Sequence, residues 1–194
     1  MEGYYYGILD VYYAIMKTED TATAAPTYEV PAVLAKSIEV TITPAYREGK
    51  LYASNATVRD KKKIDSYGVK LNVDKIPAAV LNAILGRIKD KNGVQIIKGG
   101  NEPAKLAIAF ALTLDNGEKE LWWLYKGQFA EPSVTGKTDA DKIDYQTPTI
   151  EGTFIRRVYD DALAAVVETG VTGVGATVET EWFTEVYEEQ KETV

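Results

Sequence analysis

The chain has 194 residues, with 29 Asp and Glu against 22 Lys and Arg, a formal net charge of -7, and neither cysteine nor histidine. Without thiols there is no disulfide framework, zinc–thiolate site, iron–sulfur cluster or cysteine nucleophile, and without imidazole the usual general base and metal ligand is missing. One domain, residues 1–194, is the expectation, since a chain of this length buries about 70% of its unfolded surface and can build its own core.

The N-terminus lacks the basic and apolar regions of a signal peptide, and no apolar run approaches the roughly 20 residues of a spanning helix. A soluble product made in a cytosol, with no membrane insertion, is expected. Acidity is concentrated in residues 168–194, which carry Glu168, Glu179, Glu181, Glu185, Glu188, Glu189 and Glu192 against Lys191. Residues 47–63 are the opposite, with Arg47, Lys50, Arg59, Lys61, Lys62 and Lys63 against Glu48 and Asp60, a local net of +4. The two stretches are electrostatically complementary.

Most of the chain alternates with the period of two that marks a strand and is rich in Tyr, Val, Ile and Thr. A first strand is expected at residues 4–15. A second, at 34–43, puts Ile38, Val40 and Ile42 on one face and Glu39, Thr41 and Thr43 on the other, closed by Pro44, which cannot donate to a ladder and marks an end or an edge. Further strands are expected at 51–58, at 67–73 with Tyr67, Val69, Leu71 and Val73 inward, and at 149–157. A helix is expected from Pro77 to Leu85, with Ile76, Val80, Ile84 and Ile88 at helical spacing and Gly86 ending it.

Asp115-Asn116-Gly117-Glu118 predicts a hairpin with a two-residue type I′ loop. That register sets Leu112 opposite Leu121, Phe110 opposite Trp123 and Ile108 opposite Tyr125 on a core face. Ala111 then faces Trp122, and Ala109 faces Leu124, on a second face expected to be covered by a helix or another subunit. Residues 131–142 are polar and turn-rich, which predicts a long surface loop serving contacts. A short C-terminal helix is expected at 181–190, with a thin stripe of Val178, Trp182 and Val186.

Short motifs fail on inspection. Gly136-Lys137-Thr138 imitates the end of a phosphate-binding loop, but Glu131 stands where its first glycine belongs. Gly170, Gly173 and Gly175 miss the dinucleotide fingerprint and read as a flexible connector. Asp139 and Asp141 begin like a calcium loop, yet Ile143 occupies the third ligand position. No Ser sits in a Gly-x-Ser-x-Gly elbow. No enzymatic activity, cofactor or metal is expected. Lys61-Lys62-Lys63 reads first as a charged hairpin connection that protects a sheet edge, and second as a phosphate contact. Trp122 and Trp123 are adjacent and point to opposite faces, so one belongs to the core and Trp122 is a candidate interface anchor.

Four stretches carry a resemblance: Leu34-Ala-Lys-Ser-Ile-Glu-Val-Thr-Ile-Thr-Pro44, Arg47-Glu-Gly-Lys-Leu-Tyr-Ala-Ser-Asn55, Leu121-Trp-Trp-Leu-Tyr-Lys-Gly127 and Thr147-Pro-Thr-Ile-Glu-Gly-Thr-Phe-Ile-Arg-Arg157. Together they resemble the major tail protein of long-tailed bacteriophages and prophages of Gram-positive bacteria. The resemblance implies a mainly β fold, a sandwich or small barrel of two packed antiparallel sheets with a flanking helix. It also implies a virion subunit, assembled in the host cytoplasm into stacked hexameric rings through which double-stranded DNA passes at ejection. Partners would be further copies and the tape measure, tail tip initiator and terminator proteins. Candidate subunit-interface residues are Arg47, Lys50, Arg59, Lys61, Lys62, Lys63, Trp122, Glu181, Glu185 and Glu188, with 47–63 and 131–142 as assembly loops. The alternative is a monomeric β-sandwich that binds a carbohydrate or cell-surface ligand.

Overall fold

The computed structural model describes residues 3–53, 56–134, 147–175 and 177–190. In chain order these form β1 (Tyr5–Ile8), β2 (Val11–Thr18), β3 (Thr27–Tyr28), β4 (Ala32–Ala35), β5 (Ser37–Ala53), β6 (Ala56–Val73), α1 (Ala78–Leu85), β7 (Ile88–Lys89), β8 (Gln95–Ile96), β9 (Leu106–Leu114), β10 (Lys119–Phe129), β11 (Thr149–Ile155), β12 (Ala164–Glu168) and α2 (Val178–Glu181). The main sheet runs β3-β2-β9-β10-β11-β6-β5, with β1 joining β9, β12 joining β10 and β4 joining β2; β7 and β8 make a separate ribbon. Val69 and Leu71 of β6, Leu106 and Phe110 of β9, Ile150 and Phe154 of β11, Leu34 of β4 and Ile84 of α1 bury into one cluster. The sheet therefore folds over on itself in two packed layers. Its terminal strands β3 and β5 do not pair, so it stays open rather than closing as a barrel.

The β9–β10 hairpin forms where Asp115-Asn116-Gly117 predicts it, but with a different loop. Leu114 N–H bonds the Glu118 carbonyl, and Gly117 N–H bonds the Leu114 carbonyl. Gly117 is left-handed at φ 89°, while Asp161 is the one non-glycine residue with positive φ among the described residues, so Asn116 does not adopt the type I′ conformation. The result is a three-residue loop, a type I turn closed by a left-handed glycine. It shifts the register by one residue: Phe110 pairs with Trp122, Ala109 with Trp123 and Ala111 with Leu121. A one-residue shift exchanges faces. Ile108, Phe110 and Leu124 thus share the main core with the half-buried Leu112 and Trp122. The small Ala107, Ala109 and Ala111 share the other face with Leu121, Trp123 and Tyr125.

That alanine face is covered by the chain's own C-terminal segment, although the expected 181–190 helix does not form. Only the single turn α2 is helical, and residues 182–190 lie irregularly across the sheet. Trp123 Nε1–H donates to the Trp182 carbonyl at 2.9 Å, and Trp182 Nε1–H to the Trp122 carbonyl at 3.3 Å. Val178, Trp182 and Val186 still form the apolar stripe read in the sequence. What the sequence suggested as helical spacing is satisfied by packing and indole hydrogen bonds instead.

Four other expectations are corrected, two of them by bulges. The 4–15 strand is two strands: Ile8 pairs with Leu112 and Tyr12 with Ala109, so four steps on one side span three on the other. Such an extra residue breaks the ladder and bends the strand. Pro44 does not close a strand, because β5 continues to Ala53 and Pro44 pairs with Tyr67. It lies in the edge strand β5, where a missing N–H is tolerated. Ile38 leaves the face of Val40 and Ile42 because the register slips between Ser37 and Glu39, and it is exposed. The 51–58 strand is likewise not one strand: Ala53 pairs antiparallel with Ala56, so those residues belong to two arms of a hairpin.

Helix α1 begins after Pro77 and ends at Gly86, which is left-handed at φ 63° and donates its N–H to the Asn82 carbonyl. A Cβ at Gly86 would collide with the Glu102 carbonyl, so space and conformation both select glycine there. Ile76 and Ile84 are buried, whereas Ile88 lies beyond the helix in β7 and is exposed. Between β10 and β11, Gly127 pairs with Phe154 and Phe129 with Gly152, so each ring lies over the opposing glycine. The two rings meet edge-on at 5.9 Å. Of the expected 131–142 loop, 131–134 are described; Gly136-Lys137-Thr138, Asp139 and Asp141 lie outside the described residues.

Candidate assembly surfaces

The β5–β6 hairpin has a packed half and a free half. Between Ser66 and Asn72, β6 is flanked by β11 on its other side. Beyond Ser66 its one neighbour among the described residues is β5. Residues 45–49 and 60–63 are all exposed, so no part of the described chain covers this arm. An isolated two-stranded ribbon is marginal in water, and cross-strand pairs are what hold it. Glu48 stands opposite Lys62 and bonds it at 2.9 Å. Lys62 also lies 4.4 Å from the Tyr46 ring centroid. Arg47 bonds Asp65 at 2.7 Å. These exposed pairs each contribute on the order of 0–1 kcal/mol. Among the described residues no ion pair engages Lys61 or Lys63. Lys50 and Arg59 belong to the paired backbone, and their side chains lie outside the described residues.

The acidic partners read in the sequence are dispersed. Glu181 and Glu185 are exposed, and Glu188 binds Arg157 at 2.6 Å. Among the described residues no ion pair joins the basic arm to the acidic segment, so the fold of one subunit leaves the two complementary stretches apart. Trp122 is half-buried, stacked on Phe110 with ring centroids 6.0 Å apart, and its Nε1–H donates to Glu120 at 2.5 Å. Its indole is engaged within the chain and offers no open platform for a sugar ring.

A model of the family described as phage tail tube protein matches residues 36–163, two thirds of the chain. The chain belongs to the phage tail tube protein family. The matched stretch starts just before β5 and ends just before β12, so it spans the arm, α1 and the β9–β10 hairpin. Among solved structures, this tail tube protein is similar to a chain of an extracellular contractile injection system, the PVC sheath–tube complex in its extended state. That likeness has 15% identity and a TM-score of 0.39, over 84% of this chain and 89% of the other. It is also similar to a chain of the six-fold symmetrised anti-feeding prophage baseplate, at 11% identity and a TM-score of 0.35, over 89% of this chain and 99% of the other. No curated protein matches the sequence.

Beneath the surfaces of this tail tube protein lies a polar network that the sequence reading missed. Asp20 accepts from Lys126 and from the Val158 N–H, and from the Tyr159 N–H at 3.3 Å. Burial alone would push the Asp20 carboxyl up, but the Lys126 and Val158 hydrogen bonds outweigh it and hold the group below the usual carboxylate range. Arg157 is buried, with its guanidinium 4.0 Å from the Tyr125 ring centroid and bonded to Asp160 and Glu188. Burial opposes that charge, and the Asp160 and Glu188 bonds more than restore it, so its affinity for the proton rises. This ties the loop after β11 and the C-terminal segment to the sheet. The one hint in the sequence is Arg157 and Asp160 at a spacing of three; nothing local marks Asp20.

Among the described residues there is no cluster of three carboxylates able to hold a metal ion. A groove of about 780 Å³ runs over Thr41, Thr43, Gly68, Gln128 and Thr153, with Lys70 and Glu151 alongside. Those two are bridged at 3.3 Å, and Val69, Pro103, Phe129, Ala130 and Ile155 make the rest of the lining mainly apolar. No helix is long and apolar enough to cross a membrane among the described residues.

Proposed function

We propose that this chain is a structural, non-catalytic subunit of a virion tail, whose copies associate into hexameric rings stacked as a hollow conduit for double-stranded DNA at ejection. Its partners are further copies of itself and the tape measure, tail tip initiator and terminator proteins, met in the host cytoplasm. The observation that carries this reading is the β5–β6 arm, a basic ribbon exposed on both faces. Among the described residues no element covers it, and a neighbouring copy presents an acidic partner in residues 168–194. An acidic subunit also suits a DNA conduit, since lysines and arginines lining it would hold phosphates and slow transit.

The test is electron microscopy of purified protein over a concentration series, with light-scattering mass, for the wild type and the K61E/K62E/K63E variant. Wild type is expected to give rings or tubes of regular width. The variant is expected to stay a folded monomer at wild-type assembly concentrations, because the one described intrachain ion pair it disrupts, Lys62 with Glu48, is exposed. Normal tube formation by the variant removes the arm from the interface. A wild type that stays monomeric even with tail tip initiator proteins present overturns the tube reading and favours a ligand-binding monomer.

A further inference from the structure

The basic arm leaves the body of the protein at a β-bulge. Ala45 of β5 pairs with Ser66 and Tyr46 with Ile64, so one step on β5 spans two on β6, and Asp65 is the extra residue of the ladder. A bulge of this kind bends its strand and raises the local twist. It falls where the third strand ends, because Ile155, the last residue of β11, pairs with Ser66. Up to Ser66 the sheet holds β6 from both sides. Past it, among the described residues, β5 alone accompanies β6, and a two-stranded ribbon has little of its own to hold a direction.

Side chains carry on where the backbone ladder stops. Arg47, on the arm, donates to Asp65 Oδ1 at 2.7 Å, and Arg156 Nη2, on the body, stands 3.7 Å from the same oxygen. Arg156 immediately follows β11, and its Nη1 donates to Asp161 at 2.7 Å. Both Asp65 and Arg156 are half-buried. The loop that carries Arg156 is itself well held. Arg157 N–H bonds the Ala162 carbonyl at 2.9 Å, Asp160 accepts the Ala162 N–H at 3.1 Å, and the Arg157 side chain is buried. Asp161 is left-handed at φ 60°, a conformation that Asp visits more readily than most residues. One chain of charges thus runs from the arm through the bulge to the loop after β11.

We propose that Asp65 is the positioning residue of the arm: held between Arg47 and Arg156, it fixes the angle at which the ribbon leaves the sheet and so presets the arm for its contact with a neighbouring copy. The contact rests on the tube reading, whereas the clamp is a property of the single chain. These ion pairs add little to the fold as a whole. Their leverage comes from their place at the root of an uncovered ribbon, because the direction taken by Lys61, Lys62 and Lys63 follows the angle set there. A partner engages an arm in one direction, so its apparent affinity is scaled by the fraction of arms already pointing that way. An ion pair at the top of the range for partly exposed groups shifts that fraction about fivefold.

The chain has no cysteine, so nitroxide labels can be confined to G49C in the arm and A79C in α1. A Cβ at Gly49 meets nothing within 4 Å, and Ala79 is exposed. On unassembled protein the distance between the labels, read by pulsed electron paramagnetic resonance, is expected to form a single narrow peak. D65A and R156Q are each expected to raise the population outside that peak about fivefold, and the concentration needed for assembly by the same factor, with thermal unfolding close to wild type. D65E, which keeps the carboxylate, is expected to restore the narrow peak and wild-type assembly. A peak in D65A and R156Q as narrow as in wild type overturns the clamp. A broadened peak with assembly at the wild-type concentration overturns the presetting of the arm for its neighbour and leaves the tube reading standing. A wild type that never assembles, with or without initiator proteins, overturns the tube reading and the arm's contact with it; the label distances then decide the clamp by themselves.

Discussion

Asp20 is the side chain whose loss this fold would feel most directly. It accepts from the buried Lys126 and from two backbone N–H groups of the loop after β11, so its replacement strands a cation and two donors together. Breaking one partner of a buried pair costs about 3–5 kcal/mol. D20A is expected to lose that much in urea unfolding, whereas D20N retains an acceptor and loses less. The pH dependence has a definite sign. A carboxyl whose folded pKa lies below its unfolded value, about 3.9, adds stability at neutral pH that disappears as pH falls through the folded value. Wild type is therefore expected to lose stability below pH of about 4 more steeply than D20N; parallel acid profiles would deny Asp20 this role. The pair was illegible in the sequence because Asp20 and Lys126 lie on different elements and no spacing rule joins them.

Among the elements, legibility followed how local the deciding interaction is. Helix α1 and its Gly86 stop were readable because both are set by neighbours in sequence. The β9–β10 hairpin was placed correctly, but its register turned on whether Asn116 takes a left-handed conformation, a difference of one residue that exchanges every pair. The C-terminal stripe was read correctly as apolar and wrongly as helical, because its partner is the alanine face formed some sixty residues earlier. Propensity gave way to tertiary packing. Trp182 tests that account. It stacks on Tyr187 at 5.1 Å and its carbonyl receives the Trp123 indole. W182A is expected to cost about 3–5 kcal/mol, the range for deleting a buried Trp side chain. Hydrogen exchange is expected to quicken along Ala107 to Ala111. Unchanged protection there would mean that the C-terminal segment does not stabilise the face it covers.

For the whole molecule, salt separates assembly from folding without mutation. The basic arm and the acidic C-terminal segment are exposed charges, and their attraction fades as the Debye length contracts from about 10 Å at 0.1 M salt to about 3 Å at 1 M. Apolar contacts between copies are instead strengthened by excluded salts such as sulfate. The folded monomer is indifferent by comparison, since its cohesion comes from the two apolar clusters and from ion pairs already buried. Raising sodium chloride across that range is expected to increase the concentration needed for assembly several-fold, with no matching fall in thermal stability. Ammonium sulfate at equal ionic strength is expected to recover part of the loss. If assembly proves insensitive to sodium chloride, the arm and the acidic segment do not meet across copies.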